Sequence, residues 1–174
     1  ILYQGVLNPG RGIKPVIQAL KITPGIDLVI IGYGKVKDEL IAFTKTMEMQ
    51  DRVHFLGRVP YNELPNYTKL ADIGMVLEEP LGKSFEYSLP NKLFDYIHSE
   101  IPILGSRLPE IKHIIEIYKV GIMVDNHSPE EISSKIQEII NNDSLRKNLK
   151  NAQKIAQLEL CCETERIKLD RYFK

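Results

Sequence analysis

Cysteine is almost missing from this sequence. The two that occur, Cys161 and Cys162, are adjacent near the end of the 174 residues. Neighbouring thiols offer neither a spaced disulfide framework nor a zinc-ligand pattern, and they read as ordinary reduced side chains. Net charge is missing too, since 23 Lys and Arg balance 23 Asp and Glu. A neutral chain has no general electrostatic pull toward nucleic acid or acidic lipid, so no nucleic-acid partner is expected. No apolar run approaches the ~18 residues of a spanning helix. The opening ILYQGVL reads as a strand rather than a leader. The expectation is a piece of a longer chain, cut at a domain boundary.

Familiar catalytic signatures are also lacking. His54, His98, His113 and His127 do not fall into HExxH or another ligand spacing. There is no GxSxG elbow and no GxxxxGK[ST] loop. Gly32 and Gly34 make only a GxG, and it follows the second apolar run, not the first. A dinucleotide fingerprint needs GxGxxG after the first strand and an acidic residue ~20 positions on, so a nicotinamide dehydrogenase is disfavoured. No acidic pair suggests a metal site, and none is expected.

What is present is an alternation. ILYQGVL (1–7), LVIIG (28–32), VHFLG (53–57), DIGMVLE (72–78), IPILGS (101–106) and VGIMVD (120–125) read as six strands. Short unbroken apolar runs suit strands buried on both faces. Between them lie segments with helical spacing, such as Ile13, Val16, Ile17 and Leu20, or Val36, Leu40, Phe43 and Met47. Further helices are expected over about 60–70, 89–98 and 108–118, with a polar loop ahead of the second of these. Ser128, Pro129 and Glu131 form a helix start with a capping box. A last helix begins near Asp143 or Ser144. The expected fold is α/β, a doubly wound, six-stranded, Rossmann-like parallel sheet. One domain spans 1–156, and 157–174 form a C-terminal helical tail.

Ligands of such sheets bind beyond the carboxyl ends of the strands, where helix N-termini offer free N–H groups. Four stretches fall there. In GVLNPGRGI (5–13), Gly10 and Gly12 flank Arg11, whose guanidinium suits a bidentate phosphate contact. Gly34 lies in the next loop. Arg58 and Val59 follow the third strand as a wall for a base. In SLPNKLFDY (88–96), Ser88 is read as a helix cap, Pro90 as first turn, Lys92 beside free amides, and Asp95 one turn on as an acceptor for sugar hydroxyls. Each of these also has a plain reading as turn, surface charge or local ion pair.

These stretches, YQGVLNPGRGI, LVIIGYGKVKDEL, DRVHFLGRVPYNELPNY, ADIGMVL, SLPNKLFDYIHSEIPILGS and GIMVDNHSPEEI, resemble in order and spacing the C-terminal, nucleotide-sugar-binding domain of retaining GT-B glycosyltransferases of family 4. The resemblance covers nearly all of 1–156. It implies one half of a GT-B fold, whose facing N-terminal domain supplies much of the acceptor site. It implies that Gly10, Arg11, Gly12, Gly34, Arg58, Val59, Ser88, Leu89, Pro90, Asn91, Lys92 and Asp95 line the donor site. Asp95 stands where the family has its ribose-binding glutamate. The family's earlier glutamate aligns with Tyr87, and Glu86 is the neighbouring candidate. Val6 replaces a second basic residue.

The implied reaction moves a sugar from a UDP- or GDP-linked donor to a carbohydrate or lipid-linked acceptor, with Arg11, Lys92 and Glu86 as candidate catalytic groups and no cofactor. An epimerase half, or a Rossmann-like interaction module, is the alternative; a receiver module fits poorly because Asp27 and Asp72 begin strands. The resemblance also implies that the tail after Leu158 crosses to the facing domain, with weaker hydrogen-exchange protection in this chain alone. The expected location is cytoplasmic, or peripheral at the inner face of a membrane.

Overall fold

The computed structural model describes residues 1–161 together with Thr164 and Arg166. Six short strands form one parallel sheet: β1 Leu2–Gln4, β2 Leu28–Ile31, β3 Val53–Gly57, β4 Gly74–Val76, β5 Ile103–Gly105 and β6 Gly121–Met123. Their order across the sheet is β3-β2-β1-β4-β5-β6. All neighbouring pairs are parallel, with Leu2 opposite Val29 and Gly74 opposite Ile103. Eight helices complete the described chain: α1 Ile13–Lys21, α2 Lys37–Thr46, α3 Leu64–Thr68, α4 Lys83–Glu86, α5 Asn91–His98, α6 Pro109–Tyr118, α7 Pro129–Asn141 and α8 Asp143–Glu159.

The two-residue period of a strand sends neighbouring side chains to opposite faces. Tyr3, Ile30, Met75 and Leu104 point to one side, where they join Val16, Ile17 and Leu20 of α1 and Ile132, Ile136 and Ile139 of α7. Leu2, Ile31, Val76 and Ile103 point to the other, against Leu93, Tyr96 and Ile97 of α5, Ile111 and Ile115 of α6, and Ala156 of α8. The sheet is thus covered on both faces, which is why its strands read as continuous apolar runs.

Several boundaries differ from the sequence reading. The strands are shorter, because the flanking apolar residues (Leu7, Leu77 and Ile101 among them) are buried without ladder pairing. The third helix shrinks to Leu64–Thr68. The loop expected to be irregular contains α4, one turn that follows Gly82. The helix expected from Leu89 starts at Asn91 behind Pro90, in extended backbone. Ser88 does not cap it: the hydroxyl donates to the Phe85 carbonyl at 2.8 Å.

Ser128 does cap α7, accepting from Glu131 N at 3.3 Å. The return arm of the capping box is rerouted. The Glu131 carboxylate accepts from the amides of Asp125 at 2.6 Å and Asn126 at 2.8 Å. The amide of Ser128 instead donates to Asn126 Oδ1 at 2.8 Å. α8 is capped one residue earlier than expected, by Asn142, whose side chain accepts from Leu145 N at 2.9 Å. The domain edge expected after residue 156 falls inside α8, which runs on to Glu159. Ile167, Leu169, Tyr172 and Phe173 of the expected tail lie outside the described residues, and so does most of the stretch of expected weak exchange protection.

Candidate donor-binding site

β1 and β4 are neighbours at the centre of the sheet, and the chain leaves them in opposite directions. α1 packs on one face and α5 on the other. A crevice therefore opens beyond Gln4 and Val76, the place where such sheets bind ligands.

The loop after β1 is held on two sides. Leu7 N donates to the Tyr33 carbonyl at 2.8 Å, and Val36 N returns to Leu7 O at 3.2 Å. Glu79 N, beyond β4, donates to Gly10 O at 3.0 Å. Two glycines make this packing possible. Gly12 adopts φ +66°, and a Cβ there would lie 2.4 Å from the Leu77 carbonyl oxygen. A Cβ on Gly34 would lie 2.3 Å from Leu7 O. Any larger residue would push the loop off its neighbours. Gly12 precedes α1 and Pro90 precedes α5, and neither supplies a side-chain cap to the first-turn amides.

Between these helix ends three charges meet. Glu78, just past β4, is fully buried. Its Oε1 accepts from Lys92 Nζ at 2.7 Å and from Arg11 Nη1 at 3.2 Å. Lys92 also lies 4.1 Å from the centre of the Tyr3 ring. Burial pulls the lysine below its ordinary value, and Glu78 pushes it back up. Tyr3 is raised, chiefly by burial. Arg11 lies 5.4 Å from the ring centre of Phe85 on α4. Arg11 Nε and Glu78 Oε2 are both buried without a hydrogen-bond partner.

The structure unites Arg11 and Lys92 through Glu78, a carboxylate that was not among the expected site residues. Glu78 had no signal in sequence spacing, because its partners lie 67 positions upstream and 14 downstream. Phe85 and Tyr3 were missed for the same reason.

Asp95 is turned away from this cluster. Its Oδ2 accepts from Gln4 Nε2 at 2.8 Å, and Gln4 Oε1 accepts from Thr68 Oγ1 at 2.8 Å. It borders a cavity of about 250 Å³ with Tyr61, Pro65 and His98. Burial raises the Asp95 carboxyl, against lowering by the Gln4 bond and by His98. Arg11 borders a different cavity, of about 240 Å³, with Asn8, Gly10, Gly12, Val36 and Glu79. Lys92 and Asp95 lie three positions apart on α5 but serve different neighbours.

The remaining candidates are less engaged. Arg58 is exposed and lies 5.3 Å from the ring centre of Tyr33, itself 54% exposed. Val59 packs half-buried against the second core cluster. Leu89 and Asn91 are exposed at the entry to α5. Glu86 is half-buried on α4, and its carboxylate has no partner among the described residues.

The family model for glycosyl transferases group 1 matches residues 1–155. The chain belongs to that family. An uncharacterised glycosyltransferase of Methanocaldococcus jannaschii is 22% identical over 148 residues, which are 85% of this chain and 40% of the relative. The crystal structure of the Anabaena protein HepE in complex with UDP superimposes with a TM-score of 0.80 at 18% identity, covering 99% of this chain and 48% of the other. The C-terminal domain of a Francisella tularensis glycosyl transferase group 1 family protein gives a TM-score of 0.73 at 18% identity, over 91% of this chain and 83% of that one. This glycosyl transferases group 1 domain therefore spans less than half the length of the archaeal and Anabaena proteins it matches. No helix among its described residues is long and apolar enough to cross a membrane.

Proposed function

We propose that this domain is the donor-binding half of a retaining glycosyltransferase of family 4, working with a facing N-terminal domain. The observation that carries the reading is the switch-point cluster. A glycine-flanked arginine at the uncapped start of α1 and Lys92 in the uncapped first turn of α5 meet on Glu78, and the charges of Arg11, Glu78 and Lys92 sum to one positive. That arrangement suits a diphosphate, whose anionic oxygens take charge-assisted hydrogen bonds from guanidinium and backbone amides. The UDP complex of the structurally similar Anabaena protein supports a nucleotide donor.

In the proposed reaction the bond from the sugar's anomeric carbon to the diphosphate oxygen breaks, and the diphosphate leaves with the electron pair. The acceptor hydroxyl forms the new bond, and its proton passes to an oxygen of the leaving diphosphate. Arg11 and the helix amides stabilise the charge that grows on the leaving group. Asp95 accepts from ribose hydroxyls, Arg58, Val59 and Tyr33 flank the base, and Glu86 faces the sugar. Closure of the facing domain excludes water and brings the acceptor. This chain alone binds donor and transfers little or nothing.

A calorimetric panel of UDP, GDP, ADP and their sugars on the 174-residue chain tests this. Binding of one nucleotide diphosphate is expected. Arg11→Ala should weaken it roughly tenfold to a hundredfold, the worth of a shielded charge-assisted contact. Asp95→Ala should weaken it as well. Equal affinities in wild type and both variants refute the assigned site. Analysis of the anomeric configuration of the product, made by the full-length enzyme, decides retention.

A further inference from the structure

Lys92 is poorly placed to touch a ligand. Its side chain is 8% exposed, and it is enclosed by Glu78 from the β4 end, Tyr3 from β1 and its own helix. Glu78 has no exposed surface at all, while Arg11 keeps 23% of its side chain open. Only the arginine reaches the crevice. The carboxylate lies between the two cations and shares one oxygen, Oε1, with both.

Charge counting gives the cluster a function. Two cations and one anion leave one positive charge, and it is exposed at Arg11. Without Lys92, the buried carboxylate would neutralise Arg11, and the cluster would present no net positive charge to an anion. Without either buried charge, Arg11 would again carry one unopposed positive charge. A buried pair can be removed whole at far lower cost than one of its members.

We propose that Glu78 and Lys92 are positioning residues: Glu78 aims the Arg11 guanidinium, Lys92 cancels the charge of Glu78, and the lysine does not contact the diphosphate. This deepens the donor-binding reading and rests on it.

The test compares wild type, Lys92→Met, Glu78→Gln and the double variant, each by UDP calorimetry and by thermal unfolding. Lys92→Met should bind UDP roughly tenfold more weakly and melt lower than wild type. The double variant should return to within about threefold of wild-type affinity and melt above Lys92→Met. Because it buries no unpaired charge, the double variant decides the question even where Lys92→Met does not fold. A folded double variant that binds as weakly as Arg11→Ala overturns the proposal, since Lys92 would then be a direct ligand of the diphosphate. A wild type that binds no nucleotide refutes the donor-binding reading instead. Thermal midpoints then test only the charge pairing: the double variant above Lys92→Met upholds the pairing of Lys92 with Glu78, and the two equal or reversed rejects it.

Discussion

A single carboxylate separates two kinds of charged residue in this domain. Glu78 is buried against cations, whereas Asp95 is partly buried against a neutral amide. Asp95 makes its site respond to pH. The Asp95 carboxyl is raised above 3.8 by burial. Between that value and its higher folded one, the folded chain holds more protons than the unfolded chain. Stability linked to Asp95 therefore falls as pH rises through this window and stays lower above it. Asp95→Asn removes the titration yet leaves an oxygen to accept from Gln4 Nε2. The stability of wild type relative to this variant should decline as pH rises from below 3.8, measured by urea unfolding at stepped pH. A difference that does not vary with pH contradicts the assignment. Arg11 was legible in the sequence because its flanking glycines mark a tight turn. Glu78 was not, because a buried ion pair across 67 positions leaves no local pattern.

Helix starts were the most legible feature among the elements, and also where detail was lost. The Ser-Pro-x-Glu pattern before α7 located the cap at Ser128. It could not show that Glu131 would tie down the backbone of Asp125 and Asn126 after β6. Ser128→Ala should cost about 1 kcal/mol, as for other serine caps, in urea denaturation. Glu131→Gln should cost less than Glu131→Ala, because the amide oxygen still accepts one of the two bonds. Equal costs would show that one neutral acceptor closes nothing and that both carboxylate bonds are needed together. The start of α5 was misjudged because a serine two residues before a proline satisfies the same pattern as a cap. In the folded chain Ser88 is recruited by the turn ahead of it, through the Phe85 carbonyl. α4 had no apolar period to announce it, being a single turn with no buried residue.

Across the whole molecule, α8 is joined to the sheet by polar contacts as well as apolar ones. Gln153 is fully buried, and its amide donates to the carbonyls of Ile101 and Val120, the latter at 3.1 Å. Gln157 donates to the Ile97 carbonyl at 2.8 Å. These carbonyls belong to the ends of α5 and to the residues leading into β5 and β6. Gln153→Ala would strand the Ile101 carbonyl, at about 1–3 kcal/mol in denaturant unfolding, while the Val120 carbonyl keeps the amide of Ile103 at 3.2 Å. Gln157→Ala, at a half-buried site, should cost less. If Gln153→Ala were no worse than Gln157→Ala, α8 would be held by its apolar face alone. The contacts also bear on the domain edge expected at residue 156. The composition turns charged there, but the helix continues and stays docked.

The sequence by itself determined the six-stranded, doubly wound architecture, because continuous apolar runs alternating with helical periods have one economical burial. It also determined which loops would gather at the carboxyl edge, since glycine and proline positions are local properties. Only the tertiary structure decided what those loops do to one another. It brought Glu78 between Arg11 and Lys92, stacked Tyr3 beneath the lysine, and turned Asp95 toward Gln4. Those pairings depend on which strands become neighbours, and strand order is settled by packing across the sheet, far beyond the range of any local pattern.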